Sequence, residues 1–293
     1  MAESSKKIKG SSSSAMASRT QRPVATRVSP TSIPPSLSSS TLFSSDEQRI
    51  RYSSLFSSRQ IFYPKYLDLE FFDGQTFDCY QMFQNTSLIP FMSLKLPYYP
   101  KLVQVFYSNL KIQDGTLISE VHGIPMIIDE SLFFSLTQLP SQGAPFEGTI
   151  VDDWKFDYSN HDARRMVCID QGDMTDRLLA GSLTFDCRIM HYIIVRILMP
   201  RSSNLAQAFE EDLILMWAFL TGRPIDWAHL IHYHMHKALR SSAPLPYPQL
   251  VTLFLRHFEI PLNSFGYRKD MDGKWLKKDA QPPQDECTPS ALP

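Results

Sequence analysis

The segment from residue 115 to residue 140 constrains the fold most, because its apolar period changes twice. Residues 116–121 alternate between two faces, His122-Gly123 interrupts the alternation, and residues 124–128 are mostly apolar. Two short runs around a tight two-residue break are typical of two β-strands joined by a turn. The sequence therefore predicts a β-hairpin here.

A helix is predicted directly after this hairpin. Asp129 supplies an N-cap and Glu130 a favourable negative charge for the first turn. Apolar residues then recur at helical spacing until Pro140: Leu132, Phe133, Leu136 and Leu139. The unit is thus a hairpin, a cap and a helix in direct succession.

The rest of the central chain has mostly helical periodicity. We expect helices at these positions: after a Ser45 cap, from Pro64 onward, and over residues 98–110, 184–198, 205–221, 226–239 and 248–258. Residues 77–93 are ambiguous, and residues 141–173 read as a polar loop with one short strand at residues 165–169. These patterns predict a mainly α fold, a single helical domain with a small β-hairpin, flanked by disordered tails.

The domain limits follow from shifts in composition. Residues 1–45 are rich in serine, proline and basic residues and have too few apolar side chains to offset the entropy of ordering. Residues 266–293 lose apolar periodicity and regain proline and charge. We therefore predict a disordered basic tail over residues 1–45, a helical domain over residues 46–265 and a second polar tail over residues 266–293.

Charge is divided unevenly between these parts. The whole chain has a formal net charge of −1, and residues 1–45 carry six basic residues and one acidic residue, which leaves −6 for the remainder. An acidic domain repels a polyanion, so sequence-independent nucleic-acid binding by the folded part is disfavoured. Any weak nucleic-acid contact is expected from the tail, where Lys6, Lys7 and Lys9 resemble a nuclear-import or nucleic-acid patch.

Cysteine usage and hydropathy indicate an intracellular, soluble protein. The four cysteines are far apart and form no CxxC pair, which argues against a disulfide framework and a zinc ribbon. The amino terminus has no apolar signal segment, and the apolar run over residues 189–199 is too short to cross a bilayer. We expect no membrane association, and both nuclear and cytoplasmic locations stay open.

Three histidines of one predicted helix, His229, His232 and His236, share a face because their offsets nearly complete whole turns. Three imidazoles could hold a transition metal, but the HExxH pattern is absent and a zinc site usually needs a fourth ligand. We expect these side chains to lie on a half-exposed helix face, with metal binding left open.

The sequence shows no complete catalytic motif. A metal-dependent nuclease would need converging carboxylates with the first on a central strand. The candidates for this role are Asp152, Asp153, Asp157, Asp170, Asp173, Glu210 and Glu211. A GxSxG elbow and nucleotide-binding glycine loops are absent, and Cys187 with His191 is the one imaginable thiol–imidazole pair. We predict a non-enzyme with no catalytic, cofactor-binding or metal-binding residues and no cofactor.

Three segments together resemble a plant protein family. They read V-H-G-I-P-M-I-I-D-E-S-L-F-F-S-L-T-Q-L-P, G-R-P-I-D-W-A-H-L-I and L-P-Y-P-Q-L-V-T-L-F-L-R-H-F-E-I. Their order is similar to that of the family called "putative plant transposon protein domain", and the likeness spans roughly residues 46–265. The resemblance implies an origin in a plant retroelement, without catalytic residues to carry over.

Three hypotheses for the function follow. The first is a non-enzymatic, transposable-element-derived interaction domain with a Gag-like or scaffolding role, which binds a protein partner or itself. The second is a divergent metal-dependent nuclease or integrase of a mobile element. The third is an accessory DNA-binding protein that acts through the basic tail. We favour the first, because no acidic or histidine set completes a reactive centre in the sequence.

Overall fold

Ten α-helices lie in the part of the chain that the structure describes. This computed structural model describes residues 42–72, 74, 77–170, 177–262, 267–269 and 275–277. The helices are α1 (Asp46–Arg51), α2 (Asp78–Asn85), α3 (Ile89–Met92), α4 (Pro100–Asn109), α5 (Glu130–Thr137), α6 (Asn160–Val167), α7 (Phe185–Ile193), α8 (Glu210–Leu220), α9 (Trp227–Leu239) and α10 (Pro248–His257). Helix α1 continues as a π-helical turn over Tyr52–Phe56, and α7 continues likewise over Ile194–Leu198. The predicted mainly α class is confirmed.

Three antiparallel strands form the small sheet, in the order β1 (Lys111–Gln113), β2 (Thr116–Val121) and β3 (Ile124–Ile128). Strand β2 buries every second residue, as the alternation predicted. Val121 pairs with Ile124, so the loop between them has two residues, and both have positive φ, 61° at His122 and 75° at Gly123. This is the backbone that a two-residue hairpin requires. The predicted hairpin is therefore confirmed, with β1 added along its edge.

The cap after the hairpin forms as the sequence predicts. Asp129 has extended backbone, and its carboxylate accepts a hydrogen bond from the backbone N–H of Leu132 at 2.8 Å. Gln138 ends α5 in the left-handed conformation with φ of 60°. Phe133 is fully buried against the core, so the capped helix anchors the sheet to the rest of the domain.

Two predicted elements are wrong, and both errors have a non-local cause. Residues 62–68 form no regular secondary structure instead of a helix, because Phe62 donates its backbone N–H to Leu245 and Leu67 donates to Met92. Only Leu69–Phe72 forms a short 3-10 helix there. Of the predicted strand at residues 165–169, residues 165–167 are the end of α6, whose buried face packs on α8, and only Cys168 pairs as a strand would, in an isolated antiparallel bridge with Leu183.

Smaller differences concern ambiguous segments and helix ends. Residues 77–93 resolve into α2 and α3. Helix α8 begins at Glu210, five residues later than predicted, because Asp212 accepts a hydrogen bond from the backbone N–H of Phe209 at 2.8 Å and fixes the first turn. Gly222, with φ of 66°, follows the end of α8 as predicted.

The described residues of the predicted carboxy-terminal tail form a second hairpin. Strands β4 (Tyr267–Lys269) and β5 (Trp275–Lys277) pair antiparallel. Lys269 also exchanges two backbone hydrogen bonds with Tyr98, at 3.0 and 2.9 Å. The limits at residues 45 and 266 stay predictions, and nearly all of the predicted amino-terminal tail lies outside the described residues.

The core is built around α8, whose residues 212–219 are all buried. Helices α6 and α7 pack on α8, while α4 packs on β2 and α10. Burial of apolar area at about 25 cal/mol per Å² is the main stabilising contribution in such a core. Among the described helices, none has the length and apolar character needed to span a membrane.

Candidate functional site

The three histidines of α9 do not form one site. His232 is buried with its ring 4.4 Å from that of Phe133, and burial lowers the pKa of His232 to about 4. His229 Nε2 lies 2.9 Å from Glu147 Oε1, and His229 and His236 are partly exposed. The half-exposed face is thus observed for the outer two residues and is wrong for His232. Within the described ranges, no three His, Cys, Asp or Glu side chains are placed to hold a metal ion.

His234, which the sequence pattern did not single out, is the most perturbed imidazole of α9. The residue as a whole is partly exposed, but its Nδ1 atom is buried and its ring lies 5.5 Å from that of Tyr247. Burial lowers the pKa of His234 to about 3. At neutral pH this imidazole is therefore uncharged, and it packs on the Tyr247 ring.

The acidic residues that the sequence offered as nuclease candidates are spread along the chain, and most of them pair with other side chains of the domain. Four of them have their own partner: Asp152 with Lys155 at 2.6 Å, Asp157 with Arg223 at 2.5 Å, Glu210 with Tyr158 at 2.5 Å, and Glu211 with Lys237 at 3.6 Å. The hydrogen bond from Lys155 lowers the pKa of Asp152. Asp153 and Asp170 are exposed, and Asp173 lies outside the described residues.

Cys187 and His191 are both buried on α7, where the histidine approaches a different partner. His191 Nε2 lies 3.6 Å from the carboxylate of Asp212, which also pairs with Arg201 Nη2 at 2.8 Å. Burial raises the pKa of the Cys187 thiol. A protonated thiol is a weak nucleophile, and the His191 imidazole lies beside the Asp212 carboxylate instead of forming a pair with the thiol.

Cys79, at the start of α2, is buried and electrostatically unsuited to nucleophilic chemistry. Burial raises the pKa of the Cys79 thiol to about 12, with the neighbouring Asp186 carboxylate acting in the same direction. The described cysteines, Cys79, Cys168 and Cys187, are all free thiols. We therefore assign the buried thiols to packing.

An open groove of about 1140 Å³ lies between α3, the first turn of α5 and the loop after Pro140. Its two acids have local roles: Asp129 caps α5, and Glu130 accepts a hydrogen bond from the hydroxyl of Ser141. The other polar groups of the lining are hydroxyls and amides, such as those of Gln84 and Gln142. The groove thus presents hydrogen-bonding groups, and each of its two acids accepts a hydrogen bond within the domain.

Three phenylalanines from separate parts of the chain form an aromatic patch: Phe71, Phe77 and Phe185. The Phe77 ring stacks on that of Phe71 at 5.7 Å between centroids and on that of Phe185 at 5.6 Å. Phe71 and Phe185 stay 56% and 57% exposed. Sequence reasoning missed this patch, because Phe185 lies more than 100 positions from the other two. The only sign of the patch in the local sequence was the adjacent pair Phe71-Phe72, at the end of the segment that was wrongly predicted to be a helix.

Comparison with known proteins defines the lineage. A family model described as "putative plant retrotransposon-related domain" matches residues 84–261, which is more than half of the chain. No curated protein matches the chain, and no solved structure does. The matched region begins at the last two residues of α2, extends just past the end of α10, and includes the hairpin and the helices that carried the resemblance in the sequence. The chain therefore belongs to the plant retrotransposon-related domain family and derives from a transposable element.

Proposed function

We propose that this domain is a non-enzymatic protein-interaction module with a Gag-like, scaffolding role, and that it self-associates through the aromatic patch. The observation that supports this most is the exposure of Phe71 and Phe185, both more than half exposed although they stack on Phe77. Contiguous exposed apolar surface on a folded domain is typical of interaction sites. An origin in a retroelement fits a structural protein that assembles with copies of itself.

The patch could contribute measurably to a dimer. Full burial of a phenylalanine side chain stabilises by about 1.5–3 kcal/mol. Burying the remaining half of a half-exposed phenylalanine should therefore contribute about 1 kcal/mol. In a two-fold dimer each residue counts twice, so Phe71 and Phe185 together contribute about 4 kcal/mol. That is about a thousandfold in the dissociation constant.

The test is the oligomeric state of the full chain across a concentration series, measured by light scattering and sedimentation. The double variant Phe71→Ser/Phe185→Ser should shift association to much higher concentration. The matched control is Phe156→Ser, since Phe156 is 98% exposed and contacts no other ring among the described residues. A wild-type chain that stays monomeric throughout, or a patch variant that behaves like the control, would refute the proposal.

The non-enzymatic part of the proposal rests on the separate ion pairs and hydrogen bonds that the candidate carboxylates form. A metal-dependent nuclease or integrase holds its ions with acids that converge on one point. The described candidates pair with separate partners instead, such as Lys155 and Arg223. Magnesium- or manganese-dependent cleavage of DNA by the full chain, abolished by Asp152→Asn or Glu210→Gln, would establish the nuclease alternative.

A further inference from the structure

We propose that a second surface, distinct from the aromatic patch, binds single-stranded nucleic acid. This surface, the cation–aromatic face, consists of six residues: Tyr63, Lys65, Tyr66, Lys95, Tyr192 and Arg196. Each of its three cations lies over a tyrosine ring of the same set. The proposal goes beyond the scaffolding role and does not depend on it.

The three cation–ring pairs have similar geometry. Lys65 Nζ lies 5.0 Å from the ring centroid of Tyr63, and Lys95 Nζ lies 4.8 Å from that of Tyr66. The third pair places the Arg196 guanidinium 5.8 Å from the ring centroid of Tyr192. Contacts within about 6 Å are attractive, because the ring face is negative. Each long cationic side chain is thereby held at a defined place on the surface.

The pairs belong to one continuous region of the fold. Tyr63, Lys65 and Arg196 line the same narrow cleft, and Leu94, next to Lys95, lines it too. The non-helical segment 62–68 is tied to the segment before Lys95 by the hydrogen bond from Leu67 N–H to the Met92 carbonyl, at 2.7 Å. This path of residues 62–68, where a helix was predicted, brings Tyr63 and Lys65 to the cleft that Arg196 also lines.

The charge of this face is not neutralised locally. Among the described residues, no carboxylate oxygen lies within 4.0 Å of Lys65, Lys95 or Arg196, whereas cations elsewhere in the domain form ion pairs with acids. On a domain that is acidic overall, these three cations are therefore not ion-paired with any described carboxylate.

Exposed tyrosines decide in favour of single strands over other polyanions. Tyr63 and Tyr192 remain 43% and 50% exposed. Proteins that bind single strands combine cations that follow the backbone with aromatic rings on which unpaired bases stack. An acidic protein would contact only the cations, and a nucleic-acid duplex would have no unpaired bases to stack on the tyrosine rings. The combination of exposed rings and cations without a carboxylate partner thus fits an unpaired strand.

The experiment measures binding of fluorescent oligo(dT), oligo(U) and a DNA duplex to the full chain by anisotropy at several salt concentrations. The charge variant is Lys65→Gln/Lys95→Gln/Arg196→Gln, and its matched control, with the same change of charge on exposed residues elsewhere, is Lys111→Gln/Arg165→Gln/Arg240→Gln. Loss of three phosphate contacts should reduce the slope of log K against log salt by about 2. Tyr63→Leu and Tyr192→Leu should each weaken single-strand binding by about 5- to 150-fold.

The variants distinguish binding at this face from binding by the basic tail and from binding of an acidic protein. Stronger binding of either single strand than of the duplex, lost in the charge and tyrosine variants and kept in the control, supports the proposal; the two oligonucleotides distinguish DNA from RNA. Binding that disappears in Lys6→Gln/Lys7→Gln/Lys9→Gln and persists in the face variants would assign it to the basic tail and overturn the proposal. Equal competition by polyglutamate with no effect of the tyrosine variants would also overturn it, in favour of an acidic protein partner.

Discussion

The buried ion pair of Asp212 gives the sharpest test of the packing around α8. Asp212 is fully buried, and its carboxylate accepts hydrogen bonds from Arg201 Nη1 at 3.0 Å and from the backbone N–H of Phe209 at 2.8 Å. The second guanidinium nitrogen, Arg201 Nη2, lies 2.8 Å from the Asp212 carboxylate. Replacing Asp212 with asparagine keeps the shape of the side chain and removes the charge.

The expected loss follows from what the substitution leaves behind. The Arg201 side chain is only 17% exposed and keeps its positive charge with a neutral amide in place of the carboxylate. The amide has one acceptor oxygen and presents an NH₂ group to a site of donors, so one of the three contacts turns repulsive. Removing one partner of a buried pair costs about 3–5 kcal/mol. We expect Asp212→Asn to cost about 3 kcal/mol, a large share of the roughly 5–15 kcal/mol typical of a domain.

Urea unfolding monitored by tryptophan fluorescence measures this difference, because Trp217 lies on α8 itself. Asp157→Asn is the matched control, since Asp157 pairs with Arg223 at 2.5 Å on side chains that are 49% and 36% exposed. An exposed pair contributes only about 0–1 kcal/mol. Equal, small losses in both variants would refute the view that the Asp212 network stabilises the core.

Three further predictions concern stability and use the same unfolding assay. Gly143→Ala should lower the free energy of unfolding by about 2–3 kcal/mol, because φ is +129° and a new Cβ would lie 2.7 Å from the backbone of Ile225. Its control is Gly181→Ala, which should be neutral or slightly stabilising because the space around Gly181 is open. Asp129→Ala should cost about 1 kcal/mol, because α5 loses its cap. Burial lowers the pKa of His232 to about 4 from 6.5, so below pH 6.5 the unfolded chain takes up a proton that the folded chain refuses, and this residue should lower stability by about 1.4 kcal/mol per pH unit down to about pH 4, in addition to a similar loss from His234. His232→Leu should remove that part of the acid sensitivity.

Each of these has an outcome that contradicts it. Equal effects of Gly143→Ala and Gly181→Ala would mean that the loop at residue 143 adjusts without strain. An unchanged midpoint for Asp129→Ala would show that the cap is replaced by water. If His232→Leu unfolds with the same dependence on pH between about 4 and 6.5 as the wild type, the buried imidazole is not the source of the acid sensitivity.

Much of the local structure could be predicted from residues that are neighbours in the chain. The turn at His122-Gly123, the cap at Asp129 and the end of α8 at Gly222 depend on backbone conformations and hydrogen bonds made within a few residues. Such signals are complete in the sequence, because the groups that interact are also adjacent in it. The family was predictable for a similar reason, since the order of these local units carried the resemblance.

The tertiary structure decided the elements and surfaces whose partners are distant. The segment after Pro64 has helical periodicity, yet the backbone hydrogen bonds around it go to Leu245 and Met92, and these contacts outweigh the weak helical preference of a short segment. The same contacts bring Lys65 to the cleft that Arg196 lines, and the stacking of Phe185 on Phe77 creates the aromatic patch. The sequence by itself determined the hairpin, the caps and the lineage. Folding decided which charged and aromatic side chains share a surface. Such a surface depends on the free energies of contact between residues more than 100 positions apart.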